Sequence, residues 1–232
     1  MAPALFMRHG AIVVARSLAL ALVAGALLLQ PAVGADTATP PAGAPLPSAI
    51  GAGKEQPPDQ VQQLRHWVLA TSDNLGMPFV IIDKVAAKVF VFDRLGQLHA
   101  ASPALLGLAQ GDDTVPGIGS RPMPTIRPDE RTTPAGRFVA SLASTGHGDE
   151  VLWVDYDASV ALHRVIDVPK ERRLQRLASA DPLERRITYG CINVPAKFFD
   201  TVIRPIFRAT SGIVYVLPET RSPRQVFGLS RD

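Results

Sequence analysis

The chain has 232 residues, 47% of them hydrophobic and 19% charged, with a formal net charge of +3. That length allows one substantial domain with extensions, and so much apolar material excludes disorder as a description of the whole chain. The basic residues form no stripe interleaved with aromatic ones, so no nucleic-acid partner is expected.

Residues 1–35 read as an export signal. Arg8 and Arg16 precede the apolar run Ser17–Leu29, and Val33-Gly34-Ala35 supplies small residues where a peptidase would cut. The run falls short of the ~20 apolar residues that span a bilayer, so no stable membrane span is expected after cleavage; an uncleaved anchor is the alternative. Cleavage removes two arginines and no acid, lowering the net charge from +3 to +1. The protein is therefore expected to be exported, to the periplasm. Residues 36–58, rich in Ala, Pro, Gly and Thr, read as a flexible leader.

Asp59 can cap a helix over residues 59–76, with Val61, Leu64, Trp67 and Val68 on one side. The period then changes. Phe79–Asp83, Lys88–Asp93 and a third run near Gln97–Leu106 predict an antiparallel meander. Residues 110–133 form a long Gly/Pro-rich loop, of the kind found over binding sites. Strands are predicted at Gly136–Leu142 and across Val151–Val165, with a break near Asp155–Asp157. The Arg-rich segment Val168–Arg186 has helical composition interrupted by Pro182, Pro195–Ile206 reads as an amphipathic helix, and Ile213–Leu217 as a buried strand. The expectation is a mainly β single domain over residues 77–220 with a few helices, and a C-terminal tail over 221–232.

A single cysteine, Cys191, is unusual for an exported protein, where oxidising conditions favour pairs. An inert buried thiol is the plain reading; the chemical reading needs its neighbours. Cys191 precedes the helix that Pro195 opens, and a helix N-terminus would lower the thiol pKa. Gly190 would leave room for a substrate carbonyl, and the N–H groups of Tyr189, Gly190 and Cys191 could form an oxyanion hole. Of the five histidines, His163 ends a strand inside the apparent core and is the candidate base; taken alone, a structural histidine is the more common case. A metal site built from His147, Asp149, His163 and Cys191 has poor ligand spacing, so no metal and no cofactor are expected.

Thr133-Pro-Ala-Gly-Arg-Phe138, Val160-Ala-Leu-His163, Thr188-Tyr-Gly-Cys-Ile-Asn193 and Gly212-Ile-Val-Tyr-Val216, in that order, resemble the L,D-transpeptidase catalytic domain over roughly residues 78–218. The resemblance implies a β-sandwich or barrel and a thioester reaction on peptidoglycan tetrapeptide stems. Cys191 would attack the bond before the terminal D-Ala, and an amine of a second stem, or water in an L,D-carboxypeptidase, would resolve the acyl-enzyme. It also implies that His163 is the base, that Thr188 supports the motif, that the Arg164 carbonyl orients the imidazole, and that Asn193 occupies an Asn/Arg position and helps cap the next helix. Tyr189 stands where the family has histidine, and the interval 164–187 is longer than usual. A non-catalytic wall-binding domain is the further alternative.

Overall fold

The computed structural model describes residues 56–229; the expected signal and nearly all of the leader lie outside them. Helix α1 (Asp59–Thr71) buries Val61, Leu64 and Val68, spaced three and four apart, and ends at Ser72 in the left-handed conformation. No described helix is long and apolar enough to cross a membrane.

Strands β1 (Phe79–Asp83), β2 (Lys88–Phe92) and β3 (Leu98–Pro103) form the expected meander, with Ile81 opposite Phe90 and Val91 opposite Ala100. A short β4 (Leu106–Gly107) comes next, and the long loop to residue 133 holds three single turns of 3-10 helix. Then come β5 (Gly136–Ser144), β6 (Glu150–Asp155), β7 (Val160–Arg164), α2 (Arg173–Ala178), β8 (Arg186–Thr188) and β9 (Ile192–Val194). The next helix is α3 (Ala196–Phe198), which passes through a π segment at Phe199–Ile203 into α4 (Arg204–Phe207). Pro205 explains the widened turn, since its ring has no N–H for the carbonyl four residues back and collides with it. Strand β10 (Gly212–Val216) and α5 (Pro223–Phe227) complete the chain.

The fold is mainly β. Eight strands form one sheet in the order β3-β2-β1-β10-β5-β6-β7-β9, with β4 and β8 as a separate pair. The edges nearly meet, because the Leu105 and Asn193 backbones exchange hydrogen bonds at 2.8 and 2.9 Å and tie β9 back toward β3. This near-closure covers strand edges that would otherwise be open to other chains.

Side-chain alternation divides the core in two. Val80, Ile82, Val89, Leu152, Leu162, Ile192, Val194 and Val214 face inward, where Phe199, Val202 and Ile203 fill the space. Phe79, Ile81, Phe90, Phe92, Ile213 and Tyr215 face the other way and are covered by α1. The segment expected as a C-terminal tail holds α5 over part of its length. Ser222 caps α5, and Phe227 packs against Trp67 and Tyr215 at 6.5 and 6.1 Å between ring centroids.

Arg137 pairs with Asp73 at 2.7 Å, and the Tyr215 hydroxyl donates to the same carboxylate at 2.6 Å. Burial, reinforced by that carboxylate, pushes the Tyr215 phenol up.

Candidate active site

Strand β9 lies parallel to β7, with Leu162 opposite Ile192 and His163 opposite Asn193. Extending the register one residue puts Ala161 beside Cys191. Partners across a ladder share a face, so Cys191, Asn193, Ala161 and His163 all turn the same way. With strands ~4.8 Å apart and a rise of ~3.3 Å per residue, the Cα atoms of Cys191 and His163 are about 8 Å apart on the diagonal. Both line a single cavity of about 530 Å³, walled also by Trp153, Ser159, Arg164, Ile166 and the hairpin tip carrying His147 and Asp149.

The imidazole is held at both nitrogens. Nδ1 lies 2.8 Å from the Arg164 carbonyl, which only accepts, so the proton sits on Nδ1. Nε2 is therefore the bare nitrogen, and the Asn193 amide Nδ2 donates to it at 2.9 Å. The Arg164 side chain anchors this end of β7, with Nε donating to Asp200 at 2.9 Å and the guanidinium 4.3 Å above the Phe199 ring. Burial pushes the His163 pKa down; the Arg164 carbonyl and Asp149 pull it back up, and Arg173 adds to the lowering. The net lowering favours a neutral imidazole whose Nε2 keeps its lone pair.

The thiol is also engaged, donating to the Ser159 carbonyl at 3.7 Å rather than to His163. Burial raises the Cys191 pKa, opposed by the Ala161 N–H and by Arg173. The sequence-based expectation of a thiolate at a helix mouth is corrected. The whole of β9 separates Cys191 from the helix that begins at Ala196, and the dipole effect fades within a turn. The resting pair is a neutral thiol beside a neutral imidazole, so attack requires proton transfer as the new bond forms. Iodoacetamide is accordingly expected to alkylate Cys191 more slowly than a free thiol at pH 7, with the rate still rising above pH 9. A plateau near pH 6 would contradict this.

The turn carrying Cys191 is built from hydroxyls. Thr188 Oγ1 donates to the Cys191 carbonyl at 2.7 Å and accepts from Gly190 N–H at 3.2 Å. One of the three expected oxyanion donors is thus turned inward, leaving the N–H groups of Tyr189 and Cys191 as candidates. Thr133, fully buried, donates to the Gly190 carbonyl at 2.9 Å and accepts from Gly107 N–H at 2.9 Å. Thr133 was legible only as a motif residue; nothing in one-dimensional spacing tied it to position 190.

Gly190 has φ +132°, and a Cβ there would stand 2.7 Å from the Thr132 carbonyl oxygen. The space expected for substrate at Gly190 is thus occupied by the long loop. Gly190→Ala is expected to cost about 1–3 kcal/mol from backbone conformation alone, read by urea denaturation, and to displace the cysteine turn. A variant as stable as wild type would show that the turn rearranges freely.

Asn193 does not cap the following helix, whose N-cap Pro195 receives no side-chain bond. Its place beside His163 was invisible in sequence, because β9 has three residues and no readable period. Tyr189 lies outside the cavity lining with its ring 3.9 Å beneath the Arg131 guanidinium, a packing role. Among the described residues no three His, Cys, Asp or Glu side chains converge as a metal-binding group.

No family model matches this chain, and no curated protein matches it. Among solved structures, the L,D-transpeptidase LdtMt1 in complex with imipenem aligns at 16% identity and a TM-score of 0.34, over 60% of this chain and 58% of that one. The catalytic domain of an L,D-transpeptidase from E. faecium aligns at 15% identity and a TM-score of 0.34, over 60% of this chain and 95% of that one.

Proposed function

We propose that this protein is an exported L,D-transpeptidase acting on peptidoglycan tetrapeptide stems through a thioester on Cys191. The observation that carries the reading is the shared cavity. The only cysteine of the chain and a histidine with a bare Nε2 line one pocket from neighbouring strands of a single sheet. The ordered motifs around them supply the substrate class.

In the proposed reaction the Sγ–H proton passes to His163 Nε2 as sulfur bonds to the carbonyl carbon of the third stem residue. The oxyanion is met by the backbone N–H of Cys191, the residue of that turn that lines the cavity. The C–N bond to D-Ala breaks, and the imidazolium returns its proton to the departing amine. An amine of a second stem then attacks the thioester, regenerating the thiol. Water in that role would make the protein an L,D-carboxypeptidase with the same intermediate.

Before attack, Nε2 must exchange its Asn193 contact for the thiol, a tightening that substrate-free catalytic sites commonly still lack. The test is incubation of the full chain with purified tetrapeptide stems followed by mass spectrometry. Expected are an acyl adduct on Cys191 and a cross-linked dimer. Trimmed tripeptide alone would assign the carboxypeptidase. Neither adduct nor product would leave a wall-binding domain.

A further inference from the structure

We propose that Arg173, carried by the insertion between β7 and β8, is a positioning residue that fixes which way the Asn193 amide points and thereby which nitrogen of His163 is free to accept the thiol proton. This deepens the proposed function and rests on reading Cys191 and His163 as the reacting pair.

The argument is one of donors and acceptors. A guanidinium can only donate, and Arg173 Nη1 stands 3.3 Å from the Asn193 amide oxygen. That contact makes the atom facing Arg173 an oxygen, so the atom facing His163, at 2.9 Å, is the amide NH2. An NH2 group needs a lone pair in front of it, and Nε2 has one only while the proton stays on Nδ1. Rotating the amide by half a turn would set NH2 against the guanidinium and the amide oxygen against the Nε2 lone pair, two repulsive contacts at once. Arg173 thus blocks the rotation from 20 residues away in sequence. Asn193 is 1% exposed, so water cannot substitute for either partner.

Arg173 is itself held. Its Nε donates to Glu171 at 2.5 Å, and its side chain is 13% exposed. Other charged or titratable groups face the imidazole. Asp149 acts on it electrostatically, His147 and Glu150 line the same cavity, and Glu150 is paired with Arg204 at 2.7 Å. Of these, Arg173 is the group whose contact dictates the direction of the amide.

Removing the arginine releases the amide. It can then turn, its oxygen can accept from an Nε2–H, and a protonated imidazole gains a partner. Proton storage on His163 becomes easier, while the thiol, whose pKa the Arg173 charge lowers, becomes harder to ionise. Arg173 keeps the base empty until the thiol needs it.

The test uses the full chain with 15N-labelled histidine. Nitrogen shifts are expected to show wild-type His163 protonated at Nδ1 and bare at Nε2; a protonated Nε2 in wild type overturns the proposal without recourse to any variant. In Arg173→Met the imidazole is expected to titrate at higher pH and to carry a proton at Nε2 facing the turned amide, both read from the same nitrogen shifts. Arg173→Lys, which keeps both the donor-only character and the positive charge, is expected to leave the imidazole titrating as in wild type. Coincident profiles for wild type and Arg173→Met, or a lysine variant that shifts as far as methionine, overturn it. Failure of the transpeptidase reading would register separately, as no acyl adduct from stems whatever the imidazole shifts show.

Discussion

Cys191→Ala is expected to abolish acyl-adduct formation and turnover on tetrapeptide stems while leaving the thermal transition within about 2 °C of wild type. The side chain is half-buried at a cavity wall and its sulfur makes only weak hydrogen bonds, so its removal costs little packing. The chemistry, by contrast, has no second nucleophile of its kind, since the chain contains one cysteine.

His163→Ala should lower turnover by about 10²–10⁴, the usual share of a positioned base, and should do so most strongly at neutral pH. There the buried thiol is protonated and depends on Nε2 to take its proton. Raising the pH ionises the thiol directly, so the variant is expected to recover part of its rate in alkali. A His163→Ala enzyme with the wild-type rate at pH 7 would remove the base assignment.

The second large effect is on stability. Lys84 is fully buried and donates to the Asp112 carboxylate at 2.8 Å and to the Thr133 carbonyl at 3.0 Å, with Glu219 at 3.5 Å. Asp112 also accepts from Thr220 Oγ1 at 2.6 Å and from the backbone of Glu219 and Arg221 at 2.8 and 2.7 Å. Glu219 in turn pairs with the buried Arg186.

Lys84→Met should cost about 3–5 kcal/mol, because it leaves two carboxylates in the interior short of a cation. Urea denaturation measures it, and a loss below about 1 kcal/mol would show that water enters and replaces the ammonium. The damage should also reach the site, since Lys84 holds the residue whose hydroxyl seats Gly190. Alkylation of Cys191 should therefore change in this variant under conditions where it is still folded.

Asp112 adds a pH dependence. Burial opposes its charge, but the Lys84 ammonium, the Thr220 hydroxyl and the backbone donors outweigh burial and hold the carboxyl well below its ordinary value of 3.8. A depressed folded-state pKa stabilises above the unfolded value and is lost as pH falls through it toward the folded one. The contribution of Asp112 is therefore intact at neutral pH and begins to fade below about pH 4.

Local pattern carried a good part of this molecule. Unbroken apolar runs at Phe79–Asp83 and Lys88–Phe92 were enough to announce the meander, because a strand buried on both faces needs apolar side chains at nearly every position. Val61, Leu64 and Val68 announced α1 by the turn of a helix. The lone cysteine and a strand-end histidine could be singled out as candidates, and the carbonyl beside that histidine is where the imidazole finds its partner.

Tertiary structure alone decided the state of those groups. Strands β8 and β9 are too short to carry a period, so neither the pairing of Asn193 with His163 nor the distance of Cys191 from the next helix could be read in one dimension. The thiol pKa reflects burial within the folded sheet and the charge of Arg173, a residue 18 positions away in a segment whose composition announced only a helix. Sequence names the groups because residue type sets what an atom can donate or accept. Only the fold sets which atoms meet, and that meeting decides where the proton sits.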